Sequence, residues 1–142
     1  MNEAKIRILT ADDHPIVRDG IISIVEVEKD MRVVAQAEDG IKTVELAKKH
    51  RPDIILLDLR MPGLDGLEVV AQIQSLKLPS KVIVLTIFES ERDVHLALKS
   101  GARSYLLKDT PRPVLLETIR QVHRGETCIP AGSQASQLRL ST

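Results

Sequence analysis

The sequence predicts an α/β fold, a parallel sheet with helices on both faces, from three observations. Short aliphatic runs alternate with longer segments whose apolar residues recur at three- and four-residue spacing. The runs at 54–57 and 82–85 show no polar alternation, as strands covered on both faces require. Five such β-then-α units follow one another, and parallel neighbours need crossover helices of right-handed sense.

The first strand carries Ile6, Ile8, Leu9 and Ala11 and runs directly into Asp12-Asp13-His14-Pro15. Pro15 suits the first turn of a helix, where its missing N–H is not needed. That helix bears Ile16, Val17, Ile21, Ile24 and Val25 and ends at the charged cluster 26–30. A second strand spans 32–37, and Asp39-Gly40 opens a helix whose inner face is expected to carry Ile41, Val44 and Ala47, with Pro52 as its stop.

The third strand, Ile54 to Leu57, ends in Asp58, at the end of a parallel strand where open α/β sheets collect their chemistry. A Met61-Pro62-Gly63 turn leads to Asp65 and, three residues on, Glu68, which set the start of the third helix. That helix carries Leu67, Val70, Ala71 and Gln74 and is expected to end near Leu78-Pro79-Ser80. The fourth strand closes on Thr86; Ser90 with Asp93 caps the next helix, and Gly101 offers a left-handed stop. A fifth strand, Ser104 to Leu107, ends at Lys108. Thr110-Pro111 then starts a helix with Val114, Leu115, Ile119 and Val122 inward and Gly125 just beyond.

A chain of 142 residues fits one domain, expected over 1–125, and the Ala, Gly, Ser and Gln content of 126–142 reads as a linker or tail. The 20 basic and 20 acidic residues cancel, so no overall field draws the chain to nucleic acid or an anionic membrane. Phe88 and Tyr105 are the two aromatic residues, too few for the stacking that single-strand binding uses. A lone Cys128 cannot form an internal disulfide, and no apolar run reaches signal-peptide or membrane-span length, so a cytoplasmic location is expected.

In a parallel sheet, residues 45, 28 and 22 positions apart (Asp13, Asp58, Thr86, Lys108) converge on one rim. Three close carboxylates repel unless a cation intervenes, and Mg²⁺ takes such oxygen ligands. Lys108 offers a mobile positive charge and Thr86 a hydroxyl donor for an anion. Taken singly, Asp12 and Asp13 read as helix caps and Tyr105 as a packing residue. His14, His50, His95 and His123 lack ligand spacing and read as surface residues. The joint pattern is what a phosphoryl acceptor needs.

From Ile6 to about Arg124 the chain resembles the receiver domain of bacterial two-component response regulators. The likeness rests on Asp12-Asp13, Asp58 in LLDLRMPGLDG, Thr86 in IVLTIF and Lys108 in SYLLKD. GARSYLLKD and the later RGE are similar to the NarL/FixJ (LuxR-type) subfamily. The resemblance implies a flavodoxin-like (βα)5 doubly wound five-stranded parallel sheet, strand order 2-1-3-4-5. It implies phosphorylation of Asp58 by a sensor histidine kinase, and Mg²⁺ bound by Asp13, Asp58 and the Arg60 backbone carbonyl, with Asp12 acting through water. Thr86 and Lys108 would contact the phosphoryl oxygens and Tyr105 would be the rotamer switch.

It further implies a homodimer on phosphorylation, through helices one and five or the helix 4/strand 5/helix 5 face, and DNA contact only through an output domain absent from this chain. Arg60, Ile87 and Phe88 are expected to control access of water to Asp58. Such a chain is no enzyme beyond self-catalysed phosphorylation and slow autodephosphorylation. Two rivals are a degenerate receiver that acts as an unphosphorylated interaction module and an aspartyl-phosphate phosphatase of the haloacid dehalogenase kind. The latter needs a second Asp two residues past the nucleophile, where this chain has Arg60.

Overall fold

A computed structural model describes residues 5–87 and 90–126. Its elements run β1 (Ile6–Ala11), α1 (Pro15–Glu26), β2 (Met31–Ala37), α2 (Gly40–His50), β3 (Ile54–Leu57), α3 (Gly66–Ser75), β4 (Lys81–Thr86), α4 (Glu91–Ser100), β5 (Ser104–Leu107) and α5 (Arg112–His123). The five strands pair in parallel in the order β2-β1-β3-β4-β5, the flavodoxin-like order expected. Four of the strand-to-helix loops, those after β1, β3, β4 and β5, therefore meet along one rim.

Alternation along each strand divides the core. Leu9, Ala11, Ile55, Leu57, Val82 and Val84 point to one face, where Val44 and Ala47 of α2, Val69, Val70 and Ile73 of α3, and Val94 and Ala97 of α4 cover them. Ile8, Ile54, Leu56, Ile83, Leu85 and Leu106 point to the other, under Ile21 and Val25 of α1 and Leu115, Leu116, Ile119 and Val122 of α5. All four residues of β3 are buried, which is why that strand reads as a pure aliphatic run. Burial of one such side chain contributes about 1.5–3 kcal/mol, and truncating Ile55 to Ala would cost about 2–5 kcal/mol.

The helix starts follow local chemistry. Asp39 accepts from the Lys42 amide at 2.7 Å, Asp65 from Leu67 at 2.8 Å, and the Ser90 hydroxyl from Asp93 at 3.0 Å. Four details depart from the sequence expectation. Ile41 is 57% exposed and Val114 39% exposed, so neither belongs to the inner face assigned to it. α3 stops at Ser75, because Lys77 takes a left-handed φ of 56° before Pro79 is reached. Its buried stripe is Val69, Val70 and Ile73, whereas Ala71 and Gln74 are exposed. α5 begins one residue later than expected, with Pro111 at its cap position, while the Thr110 hydroxyl turns back to the Leu107 carbonyl. Phe88 and the expected linker beyond Glu126 lie outside the described residues. Among the described residues no helix is long and apolar enough to cross a membrane.

Candidate functional site

Strand pairing places the first two acids. Ala11 of β1 stands opposite Leu57 of β3, so the residues that follow, Asp12 and Asp58, leave the sheet side by side. The Asp58 amide donates to the Ala11 carbonyl at 2.9 Å and the Asp12 amide to the Ala37 carbonyl at 3.0 Å. Both carboxyl side chains are 3% exposed. Asp12 Oδ1 accepts from the His14 amide at 2.9 Å, and the Arg18 guanidinium clamps the Asp12 carbonyl at 2.6 Å. Asp58 Oδ1 accepts from the Arg60 amide at 3.1 Å.

One cation serves both acids. Lys108 Nζ lies 2.7 Å from Asp12 Oδ2 and 3.1 Å from Asp58 Oδ2, and its own amide donates to the Thr86 carbonyl at 2.7 Å, which fixes the β5 end against β4. Burial raises the proton affinity of the Asp58 carboxyl above the ordinary value, and the opposing bonds from the Arg60 amide and Lys108 do not cancel it. Burial also works against the Lys108 ammonium, but hydrogen bonds to Asp12 and Asp58 outweigh it and hold that group above its ordinary value.

Asp13 is the member of the cluster with capacity left over. Its Oδ1 is buried without a hydrogen-bond partner, and the His14 Nδ1 that lies 3.0 Å away is not aligned to donate to it. One ligand atom each from Asp12, Asp13, His14 and Asp58 lie within 4.8 Å of one another. Three carboxylates with one orphaned oxygen fit a hard divalent cation. The helix-capping role that Asp12 and Asp13 suggest singly is not what they do: α1 has His14 at its cap position and no side-chain cap bond there.

The loop after β3 is braced from two sides. A Cβ on Gly66 would come within 2.5 Å of Leu59 Cα, and one on Gly40 within 2.1 Å of the Leu64 carbonyl oxygen. The Gly40 amide also donates to the Pro62 carbonyl at 3.3 Å. This holds the Arg60 backbone at the edge of the acid cluster.

The remaining candidates occupy different places. Thr86 ends β4 on the same rim and is 2% exposed, and Tyr105 is 1% exposed and packed under the α4 side of the sheet. The Arg60 side chain is 65% exposed and reaches Asp93 on α4 at 3.3 Å, spanning a cleft of about 450 Å³ lined also by Met61, Asp65 and Leu67. Ile87 is 62% exposed. Two residues of the site had no sequence signal as such. His14 is a surface residue, as read, yet its ring touches both Asp12 and Asp13. Arg18 reaches back six positions from inside a helix that its spacing marks only as amphipathic.

Comparison with known proteins agrees with this geometry. A family model described as the response regulator receiver domain matches residues 8–120. The chain is 35% identical over 138 residues to the "Probable transcriptional regulatory protein NarL" of Mycobacterium tuberculosis, covering 95% of this chain and 64% of that protein. It is 40% identical over 125 residues to the nitrate/nitrite response regulator protein NarL of Escherichia coli K12, covering 88% of this chain and 58% of that one. Among solved structures, a two-component response regulator of the LuxR family from Aurantimonas superposes with a TM-score of 0.87 at 26% identity, covering 96% and 99% of the two chains. The chain thus spans 58–64% of the length of these two curated relatives. With the matched segment, the strand order and the clustered acids in agreement, the chain belongs to the response regulator receiver family, in its NarL (LuxR-type) branch.

Proposed function

We propose that this receiver is operated by phosphorylation of Asp58, within two-component signalling that controls transcription. The observation that carries the reading is the Asp58 carboxylate, buried at the end of β3, held by the Arg60 amide and Lys108 and flanked by Asp12 and Asp13. An Asp58 oxygen attacks the phosphorus of a phosphohistidine on a sensor histidine kinase. The new O–P bond forms as the N–P bond breaks, and the imidazole leaves with the electron pair. Asp13, Asp58 and the Arg60 carbonyl would hold Mg²⁺, with Asp12 acting through water, and the ion would supply positive charge at the transferring oxygens.

Lys108 releases Asp58 Oδ2 and follows the phosphoryl group, while the Thr86 hydroxyl donates to it. Thr86 and Tyr105 then bias the β4–α4 surface between two arrangements, and the resulting homodimer uses the α4–β5–α5 or the α1–α5 face. DNA would be contacted through an output domain and not through this receiver. Self-catalysed phosphorylation and slow loss are the limit of the chemistry, because neither Arg60 nor Ile87 carries a carboxylate or amide to orient an attacking water.

Treating the protein with a small phosphodonor with and without Mg²⁺, followed by intact-mass measurement, tests the reading. A single adduct that needs the cation and is lost in Asp58→Ala is expected. An adduct that persists in Asp58→Ala, or that ignores a chelator, overturns it.

A further inference from the structure

We propose that His14 gives the acid pocket a nitrogen donor, so that it accepts imidazole-seeking divalent cations such as Ni²⁺, Co²⁺ and Zn²⁺ as well as Mg²⁺. The inference rests on the reading of Asp12, Asp13 and Asp58 as a metal site and concerns which cations that site selects.

The placement of His14 favours this role. The His14 side chain is 55% exposed, and its Nδ1 lies 3.0 Å from Asp13 Oδ1 and 3.1 Å from Asp12 Oδ1. Its backbone leaves little choice: the residue is extended (φ −100°, ψ 108°), is followed by Pro15, and has its amide tied to Asp12 Oδ1 at 2.9 Å. The ring therefore hangs at the lip of the pocket.

The spacing of the donor atoms favours it too. Two donors at right angles on one ion, with bonds of about 2.1 Å, lie about 3.0 Å apart. His14 Nδ1 and Asp13 Oδ1 are separated by 3.0 Å, and the contact is not aligned as a hydrogen bond, which leaves Asp13 Oδ1 without a partner. A cation bound to both atoms satisfies the orphaned oxygen. Mg²⁺ is served by oxygen ligands alone, whereas the later first-row ions prefer a site that includes imidazole. An ion of that kind occupies oxygens that Mg²⁺ also needs, so the two classes compete.

The bland account is that Nδ1 merely donates to Asp12. Calorimetric titration of the whole chain with NiCl₂ and with MgCl₂ separates the two, using wild type, His14→Ala, and His95→Ala as a control for an exposed imidazole on α4. Ni²⁺ affinity is expected to fall at least about tenfold in His14→Ala alone, with Mg²⁺ affinity within about twofold of wild type. The visible absorption of bound Co²⁺ should also change in His14→Ala and not in His95→Ala. Mg²⁺ binding reports that each variant is folded. Equal Ni²⁺ affinity in wild type and His14→Ala, with Mg²⁺ binding intact, overturns the role of His14 and leaves the metal site standing. An equal loss of both metals, or a matching Ni²⁺ loss in His95→Ala, overturns it too. Failure of every metal to bind any of the three proteins overturns the site itself.

Discussion

Lys108 and Arg120 each sit between two carboxylates, the first on the rim where the strands end and the second at the opposite end of the sheet. Lys108 is 10% exposed and its partners Asp12 and Asp58 only 3%. Arg120 is 30% exposed, bonds Asp30 with two nitrogens at 2.9 and 3.0 Å, and reaches Glu28 at 2.8 Å. The same formal arrangement acts in opposite senses. Hydrogen bonds from Arg120 hold the Asp30 carboxyl below its ordinary value, whereas burial pushes Asp58 up in spite of Lys108. Water decides the difference: a forked guanidinium at the half-open base stabilises its acids, and a dry rim makes every charge costly. The rim keeps a cluster that stability alone would remove.

The comparison breaks most visibly at Lys108. Lys108→Met removes the ammonium that pairs with both buried carboxylates, and metal-free stability is expected to fall by about 3–5 kcal/mol. Added Mg²⁺ should restore a large part of it, read as the urea midpoint with and without the ion. A midpoint unmoved by the substitution would show that the acids are protonated or solvated and that the rim is not strained. Arg120→Ala should cost less, about 1 kcal/mol, because solvent screens its partners. That loss should shrink with salt, while the Lys108 effect should not.

The two ends should also titrate in opposite directions. Asp30 has its proton affinity lowered by folding, so it adds stability above its ordinary pKa of 3.8 and loses that contribution as pH falls. Asp58 has its proton affinity raised, so its contribution is fullest below 3.8 and is lost as pH rises through its folded value. In chelated protein, Arg120→Ala should flatten the acid side of the stability profile, and Asp58→Asn should remove the decline towards neutral pH. Urea midpoints across the acid-to-neutral range measure both slopes. The smallest effect is expected at Asp93→Asn, which frees Arg60 from an exposed pair and should shift stability by no more than about 0.5 kcal/mol.

All ten elements were legible in the sequence because β1, β3, β4 and β5 are almost wholly buried apolar runs, β2 keeps buried residues at both ends, and each helix has a stripe and a punctuating residue. Two of the departures, in α2 and α5, arise where the stripe is read from large residues alone. In α2 the buried line is Gly40, Thr43, Val44 and Ala47. Gly40 has no side chain to announce itself, so the sequence pattern favours the nearby Ile41 instead. In α5 the buried line includes Leu116 and Thr118, which leaves Val114 at the edge. The acids of the site and Lys108 were legible because strand ends must share a rim. The Arg120 fork was not, since its partners lie 90 and 92 positions away and no local pattern connects them. The reach of His14 was hidden too, because it depends on a backbone turn before Pro15 and not on residue spacing.

β5 is a four-residue edge strand that pairs with β4 alone, and Lys108 follows it directly. That position has a consequence for the order of folding. A chain folded through β4 has already brought β1 beside β3, and with them the three acids, before the cation that neutralises them can arrive. If β5 docks last, charge works like a spring on that step: the acids repel one another until docking of β5 with α5 brings Lys108 to Asp12 and Asp58. The strand pairing itself is short in range, but the Lys108–Asp12 contact that it carries links distant ends of the domain, so the final docking should be tightly coupled to assembly of the pocket. A refolding rate that rises when divalent cations are present would place metal entry before that strand closes.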